Sequence, residues 1–288
     1  MKADTQSTDL PCFDLHMHST ASDGALSPQA LVELASQNGV QLLALTDHDT
    51  LAGQAEAAAA AKHLDMRFIP GVELTCRWNK RVIHLLGLNI DPDHEGWKGY
   101  LEHLSCLRNQ RAEKIAKKLI GKGLPDDLLE QAKALAGDGQ IGRPHFARAL
   151  LEAGLVSSES EAFDRFLGQG KPGDVKAEWP DMAEAISQVH KSGGYALLAH
   201  PTKYNLTFSR LRILLAEMVA AGVDGFEIAY PGVSQEQIGL LMRIADQHDL
   251  QVSSGSDFHT PKHRWTRLGR FPKVETQRHL IHALVAGG

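Results

Sequence analysis

The sequence DLHMHSTASDG, residues 14–24, decides how the rest of the chain can be interpreted. It follows an apolar segment typical of a short β-strand, and it carries His16 and His18 at a spacing of two. Residues two apart on an extended segment point to the same side, so both imidazoles can reach one point. Asp23 follows in a small polar loop that Gly24 closes. Two histidines and a carboxylate at a strand end indicate a metal site; a solvated histidine pair is the alternative.

Composition limits the partners that the chain can attract. Its 288 residues suffice for one large α/β barrel or two ordinary domains, and the 43% hydrophobic content provides a sizeable core. The formal net charge of −5 argues against long duplex nucleic acid or an anionic membrane surface, but it does not exclude a local basic pocket. Nothing in the sequence indicates an obligate protein partner.

The cysteines and the absence of long apolar runs indicate the compartment. Cys12, Cys76 and Cys106 form neither a CxxC pair nor an even framework, which predicts free thiols in a reducing cytoplasm. The polar N-terminus carries no secretory signal, and the chain contains no apolar run of about 18 residues that would predict a membrane span.

Helix and strand signals alternate along the first third of the chain. Ser27-Pro28 is a typical helix start, and Gly39 ends that helix. The apolar run over 40–46 predicts a strand that is covered on both faces. The elements predicted next are a helix over 53–63 and strands over 67–74 and 81–90.

A long stretch without strand signals interrupts this alternation. The predicted helices there cover 96–123, 125–136, 142–154 and 158–167. The alternation then resumes with helices over 181–191, 209–221, 234–248 and 277–285 and strands over 195–199, 223–230 and 251–254. Repeated βα units favour a parallel barrel or a doubly wound sheet. We therefore divide the chain into a barrel part at 10–95, an all-helical insertion at 96–173 and a second barrel part at 174–288.

Side chains of metal-ligand type gather at or near the ends of the predicted strands. The carboxyl ends of parallel strands form the active face of α/β folds, so these side chains should converge. They exceed what one ion needs, which predicts two or three ions at adjacent positions. The set consists of His16, His18, Asp23, His48, Glu73, His84, His200, Asp257 and His259.

The motifs that carry these residues resemble those of the PHP (polymerase and histidinol phosphatase) family, within the amidohydrolase superfamily. They are DLHMHSTASDG at 14–24, TDHDT at 46–50, PGVEL at 70–74, an isolated His84 in the next strand, AHP at 199–201 and SGSDFH at 254–259. The resemblance covers residues 12–90 and 181–260 in the family's order. It implies a distorted (β/α)7 TIM-like barrel, of class α/β, with a trinuclear metal site.

The resemblance also implies which residues share each ion. The first ion would be held by His16, His18, Glu73 and Asp257, the second by Glu73, His84 and His200, and the third by Asp23, His48 and His259. The expected catalytic residues are Asp23, His48, Glu73 and Asp257. Several family members have a histidine where this chain has Asp23. That difference favours Mn²⁺ or Mg²⁺, with Zn²⁺ or Fe²⁺ as alternatives.

The sequence of the predicted helical insertion indicates a particular subgroup of this family. IGRPHFARALLEAG at 141–154, followed by FLGQGKPG at 166–173, resembles a bacterial subgroup of the family. Its implied activities are removal of the 3′-phosphate from nucleoside 3′,5′-bisphosphates, for example pAp to AMP, and 5′→3′ trimming of short RNA. Histidinol-phosphate phosphatase is an enzymatic alternative. A metal-holding accessory domain of a polymerase is a non-enzymatic one.

The chemistry expected of such a site is direct hydrolysis. A hydroxide bridging two ions would be the nucleophile, since divalent metals lower the pKa of bound water from 15.7 to about 7. The acid that protonates the leaving group stays open between His48, Asp23 and a metal-bound water. A second phosphate needs a cationic clamp, for which Arg143 at a helix start is the candidate. The expected companions of Arg143 are His145 and Lys171, with Tyr204 as a stacking partner for a base; capping, turn and packing roles are the alternatives.

Overall fold

Seven strands form one sheet, and they lie side by side in the order in which the chain makes them. The structure is a computed structural model, and it describes residues 10–286. Every neighbouring pair is parallel except the two pairs that involve β4, which runs antiparallel to both β3 and β5. The strands are β1 Phe13–Asp14, β2 Leu42–Leu45, β3 Arg67–Trp78, β4 Arg81–Leu88, β5 Tyr195–Leu198, β6 Gly225–Ala229 and β7 Gln251–Ser254.

The sheet closes into a ring because the segments after β1 and β7 also meet. The backbone N–H of Leu15 donates to the carbonyl of Ser254 at 3.4 Å, and Met17 forms a parallel bridge with Phe258. One short strand and one reversed strand make this a distorted barrel. The predicted α/β barrel with seven strands is therefore confirmed.

Helices follow most strands, as the alternating pattern predicts. α1 begins at Pro28, where the Ser27 hydroxyl accepts from the backbone N–H of Ala30. The helices are α1 Pro28–Gln37, α2 Gln54–His63, α3 Gly96–Ile120, α4 Leu128–Ala136, α5 Arg143–Glu152, α6 Glu159–Ala162, α7 Met182–Lys191, α8 Phe208–Ala220, α9 Gln235–His248 and α10 Ile281–Ala286. A π-helical turn occupies Phe163–Leu167, and a 3₁₀ helix occupies Pro201–Tyr204.

Several elements differ in extent from the sequence prediction, and the differences at β3 and at the last helix have a clear cause. β3 continues to Trp78, four residues past the predicted end at residue 74, because it forms a long antiparallel hairpin with β4. Asn79 closes that hairpin with a φ of 55°. The last helix begins at Ile281 rather than at residue 277, since His279 accepts the Ile281 N–H and turns the chain before the helix.

Residues 96–173 contain helices and no strand, and much of this segment packs on itself. Its core joins α3, α4, α5 and the π-helical turn through Ile115, Leu119, Leu128, Phe146, Leu150 and Leu167. The first half of α3 instead contributes Trp97 and Leu104 to the core between the barrel and its helices. α3 therefore fixes the helical segment above the mouth of the barrel. Between residues 10 and 286, no helix is both long and apolar enough to cross a membrane.

Candidate metal centre

His16 and His18 follow β1 and point into the mouth of the barrel, where both side chains are fully buried. The segment that follows β7 passes close to His16, and only a glycine fits at position 255, because a Cβ there would lie 2.4 Å from the Cβ of His16. The Asp14 carboxylate fixes the same region by accepting from the backbone N–H groups of Ser256, at 2.8 Å, and of His16, at 3.3 Å. The spacing of two places both imidazoles on one side, as the sequence predicts.

Glu73, in the middle of β3, is the common neighbour of five histidines. Its Oε2 lies 2.9 Å from His48 Nδ1, 3.3 Å from His18 Nε2 and 3.4 Å from His16 Nε2. Its Oε1 lies 3.1 Å from both His84 Nδ1 and His200 Nε2. A fully buried carboxylate with donors around both oxygens can bridge two cations.

The first group of donors consists of His16, His18, Asp257 and Glu73. The two Nε2 atoms are 3.1 Å apart, and each lies 3.4 Å from Asp257 Oδ1. Ligand atoms about 2.1 Å from one ion lie about 3.0–3.4 Å from one another. This group therefore has the spacing of a coordination sphere.

Two further groups adjoin the first. His48, Glu73 and His84 offer ligand atoms that all lie within 4.8 Å of one another, as do those of Asp23, His18, His48 and His259. In the latter group, Asp23 Oδ1 is 3.4 Å from His259 Nε2 and 4.0 Å from His18 Nδ1. The site thus gathers all nine predicted residues, although His18 and His48 each face two groups.

Unpartnered polar atoms provide a test of whether this site suits cations. Buried side-chain atoms without a hydrogen-bond partner cost about 1–3 kcal/mol each unless another group satisfies them. The site contains five of them: His18 Nδ1, Asp23 Oδ1, His48 Nδ1, Glu73 Oε2 and His200 Nδ1. All are lone-pair donors of the kind that divalent metals bind, so the residues fit metal ions.

The electrostatics keep the carboxylates ionised. Burial alone would raise the pKa of Glu73, but His48, His84 and His16 hold it well below its usual range. Burial likewise opposes ionisation of Asp257, and His16 and Lys203 hold its pKa well below normal. Burial lowers the pKa of His18, but hydrogen bonds to Asp257 and Glu73 raise it to about 10. A metal ion held by His18 therefore competes with a proton for its imidazole.

Glu227 was missed by the sequence analysis. It lies in β6, fully buried, with both carboxylate oxygens 3.1 Å from His16 Nδ1. It also accepts from the backbone N–H of His200 at 2.7 Å. A carboxylate on the far nitrogen fixes the tautomer of a ligand histidine, so Glu227 can orient His16. The only sequence signal was an acidic residue inside the apolar strand GFEIA.

The aspartates that flank His48 support the site from outside. Asp47 accepts from the Ser19 hydroxyl at 2.6 Å and from the Ser22 hydroxyl at 2.6 Å, which fixes the loop after His18. Asp49 accepts from the Thr75 N–H at 2.6 Å and pairs with Arg108 at 2.6 Å. The pair between Asp49 and Arg108 therefore joins the barrel to α3.

A cavity of about 1190 Å³ opens above the donors, between the barrel mouth and helices α3 and α5. Asp23, His48 and His84 lie at its base. Nine lysines and arginines line it, against two aspartates, Asp23 and Asp174. This cavity is a local basic pocket, which the negative net charge of the chain does not exclude.

One wall of the cavity is formed by Arg108, Arg111 and Arg143, which we call the clamp wall. Arg143 donates to the Leu167 carbonyl at 3.1 Å, and Arg111 donates to the Val175 carbonyl at 3.0 Å. Burial, together with the charges of Arg143 and Arg108, lowers the pKa of Arg111 to about 9. An anion between these guanidinium groups would relieve that repulsion.

Of the four residues predicted to contact substrate, two line the cavity and two do not. Arg143 and Tyr204 line the cavity. The Tyr204 hydroxyl accepts from the His84 N–H at 2.9 Å and donates to the Ala199 carbonyl at 2.9 Å. His145 is buried and its Nδ1 accepts from the Gly142 N–H at 3.0 Å, so it caps α5. Lys171 lies exposed in a turn and is not among the cavity residues.

Arg108 and Arg111 reach the cavity without having been predicted. Both lie on α3, three residues apart and therefore on one face of the helix. Their spacing was the available signal, but a charged surface helix produces the same pattern. Only the position of α3 above the barrel shows that these arginines line the cavity instead of facing solvent.

The fold and the site define a class of enzyme, the phosphoric ester hydrolases. A family model described as the PHP domain matches residues 14–195. The chain therefore belongs to the PHP family, and the resemblance seen in its motifs is confirmed.

Similar proteins have related activities in their names. A 5′-3′ exoribonuclease of Haemophilus influenzae is 47% identical over 258 residues, which cover 90% of this chain and 93% of that protein. A 3′,5′-nucleoside bisphosphate phosphatase of Chromobacterium violaceum is 36% identical over 249 residues, covering 86% of this chain and 87% of that protein. A solved amidohydrolase from C. violaceum, with bound sulfate and no metal, matches with a TM-score of 0.89 at 34% identity. That match covers 95% of this chain and 96% of the solved one.

Proposed function

We propose that the protein hydrolyses the 3′-phosphate of nucleoside 3′,5′-bisphosphates, with divalent metal ions held at the mouth of the barrel. One observation carries the proposal: the donors around Glu73 lie at the base of a cavity whose wall is the clamp wall. A substrate with two phosphates matches this arrangement, since one phosphate can meet the metal site while the other meets arginines. The 36% identity to a bisphosphate phosphatase supports the same substrate.

We propose three ions, with Mn²⁺ the first candidate and Zn²⁺, Fe²⁺ and Mg²⁺ as alternatives. His16, His18, Glu73 and Asp257 would hold the first, Glu73, His84 and His200 the second, and Asp23, His48 and His259 the third. The distances between their ligand atoms support these groups. When bound, divalent ions activate water at neutral pH and neutralise charge on a phosphoryl group.

The side chains of this chain supply the rest of the mechanism. Glu227 holds a proton on Nδ1 of His16, which leaves Nε2 free as a ligand. Arg143 and Arg111 bind the 5′-phosphate through N–H groups that are not committed to backbone carbonyls. Asp23 and His48 lie at the base of the cavity. His48 can pass a proton to the departing 3′-oxygen there, whereas His48 and His259 hold the pKa of Asp23 well below its usual range.

A second candidate activity is 5′→3′ removal of nucleotides from short RNA, since a relative with 47% identity is named an exoribonuclease. Both activities can use one site, because each breaks a phosphate ester at a nucleoside 3′-oxygen. Histidinol phosphate carries a single phosphate and would leave the clamp wall without a partner.

The test is phosphate release with added Mn²⁺ from a nucleoside 3′,5′-bisphosphate, a nucleoside 3′-monophosphate and histidinol phosphate. We expect the highest kcat/KM on the bisphosphate. Turnover of histidinol phosphate alone would refute the proposed substrate.

We also propose the division of the chain into barrel parts at 10–95 and 174–288 and an insertion at 96–173. The separate core of the helical segment supports it. Three free thiols, two of them exposed, support a reducing cytoplasm as the working compartment. Small nucleotides and short RNA are the proposed partners.

A further inference from the structure

The cavity is larger and more basic than a nucleoside bisphosphate needs. Small-molecule pockets are about 300–1,000 Å³, and this cavity has about 1190 Å³. The clamp wall accounts for one phosphate and the metal donors for the other. Further cations line the same cavity at the tip of the β3–β4 hairpin and the start of α8.

We define the rim as Lys80, Arg81 and Arg210. Two other cations of the cavity, among residues 10–286, do have carboxylate partners. Arg77 lies 4.0 Å from Asp181, and Lys203 lies 2.5 Å from Asp257. In that same part of the chain, no rim residue forms an ion pair. Lys80 and Arg210 are exposed, and Arg81 donates to the backbone carbonyl of Tyr204 at 2.6 Å.

The rim lines the same cavity as the clamp wall but lies on other elements, the β3–β4 hairpin and α8 rather than α3 and α5. Tyr204 connects the rim to the metal donors, since its carbonyl accepts from Arg81 and its hydroxyl accepts from the N–H of His84. A substrate that contacts the rim while two of its phosphates occupy the clamp wall and the metal site must carry further phosphates. A nucleoside bisphosphate has no further phosphate to offer.

We propose that the rim binds the backbone phosphates of the RNA strand that continues beyond the cleaved phosphate, and that it selects oligonucleotides over single nucleotides. This inference rests on the proposed function, because it assumes that the 5′-phosphate occupies the clamp wall. In both reactions water adds to phosphorus while the bond from phosphorus to O3′ breaks, and O3′ takes the proton that water gives up. The products are a nucleoside 5′-phosphate and either free phosphate or a shortened strand with a new 5′-phosphate.

The product strand is itself a substrate. Its new 5′-phosphate can enter the clamp wall after the released nucleotide leaves, while its later phosphates stay on the rim. Single strands bind basic grooves through such sequence-independent phosphate contacts. The rim therefore favours repeated removal from one end.

The test compares the double variant Lys80→Glu/Arg210→Glu with a matched control, Lys118→Glu/Arg243→Glu. The control residues are exposed, make the same change in net charge and do not line the cavity. The substrates are a 5′-phosphorylated RNA pentamer and a nucleoside 3′,5′-bisphosphate, each with Mn²⁺. We expect KM for the pentamer to rise at least about tenfold in the rim variant alone. We expect less than about a twofold change on the bisphosphate, which makes no rim contact.

Salt dependence gives a second readout. Loss of two phosphate contacts should reduce the slope of log kcat/KM against log salt for the pentamer by about 1.4. Equal effects of the rim and control variants on the pentamer, or equal losses on both substrates, would overturn the inference.

A binding measurement separates this inference from the proposed function. A phosphorothioate-linked pentamer, labelled at its 3′ end, is titrated with metal-loaded protein and followed by fluorescence anisotropy. If the bisphosphate is not hydrolysed, the proposed substrate fails, yet weaker pentamer binding by the rim variant alone still supports the rim. Unchanged binding refutes the rim whatever the activity.

Discussion

Replacement of Arg143 by alanine should separate substrates with two phosphates from those with one. Arg143 lines the cavity beside Arg108 and Arg111, and one of its N–H groups is committed to the Leu167 carbonyl. A net contact between a charged donor and phosphate contributes about 1.5–3 kcal/mol. Part of the guanidinium is already occupied, so we expect the lower half of that range, a rise in KM for the bisphosphate of about 12- to 40-fold.

The assay is steady-state phosphate release from a nucleoside 3′,5′-bisphosphate and from the matching 3′-monophosphate. We expect a much smaller change on the monophosphate, because it lacks the group that Arg143 binds. Arg143→Lys keeps the charge without the bidentate fork and should lie between wild type and alanine. Arg165→Ala, an exposed arginine outside the cavity, is the control. Equal losses on both substrates would refute the clamp.

Three further predictions concern residues other than Arg143. Glu227→Gln should weaken metal binding by about 10- to 100-fold, measured by competition with a chelator, because it removes the carboxylate that orients His16; unchanged affinity would contradict this role. Arg108→Ala should lower the free energy of unfolding by about 3–5 kcal/mol in urea denaturation, since it leaves Asp49 buried without its partner; a loss below about 1 kcal/mol would show that the pair is dispensable. Burial lowers the pKa of His279 from 6.5 to about 4, so its contribution to stability is complete above pH 6.5 and falls by about 3 kcal/mol as pH drops to 4. His279→Asn should flatten the dependence of unfolding free energy on pH over that window, and an unchanged slope would refute it.

Most of the proposed ligand set could be predicted from the sequence, because these residues end a recognisable strand or lie in a short motif. His84 lies inside β4, where its only signal is a polar residue in an apolar strand. His16 and His18 need only the two-residue period of an extended segment to face one point. Barrel geometry then brings Glu73, His200 and Asp257 together from distant parts of the chain. At these positions the local sequence pattern and the fold class both predict that the side chains converge, so the prediction needs no detail of the tertiary structure.

The remaining parts of the site depend on tertiary geometry that the local sequence does not contain. Glu227 lies in an apolar strand without a motif, and its partner His16 is 211 residues away. Arg111 enters the cavity only because α3 crosses above the barrel. Conversely, Lys171 lies in a motif beside the clamp wall but points into solvent. His145 has its side chain committed to capping α5, which its sequence position at a helix start also allows.

The reversed strand β4 illustrates the same limit for the fold. Its sequence predicts a strand, but the direction follows from the tight turn at Asn79, which leaves no room for a crossover helix. That reversal places His84 opposite Thr75 and within 3.1 Å of Glu73.

The central claim is that separate groups of side chains share Glu73 to hold several metal ions. The most direct measurement is the number of Mn²⁺ ions bound per chain by the wild-type protein and by Glu73→Gln, determined by elemental analysis after equilibration with excess metal. The account predicts about three ions in the wild type and about one in the variant, because Asp23, His48 and His259 do not depend on the Glu73 carboxylate. A variant that retains every ion, or a wild-type protein that binds none, would contradict it.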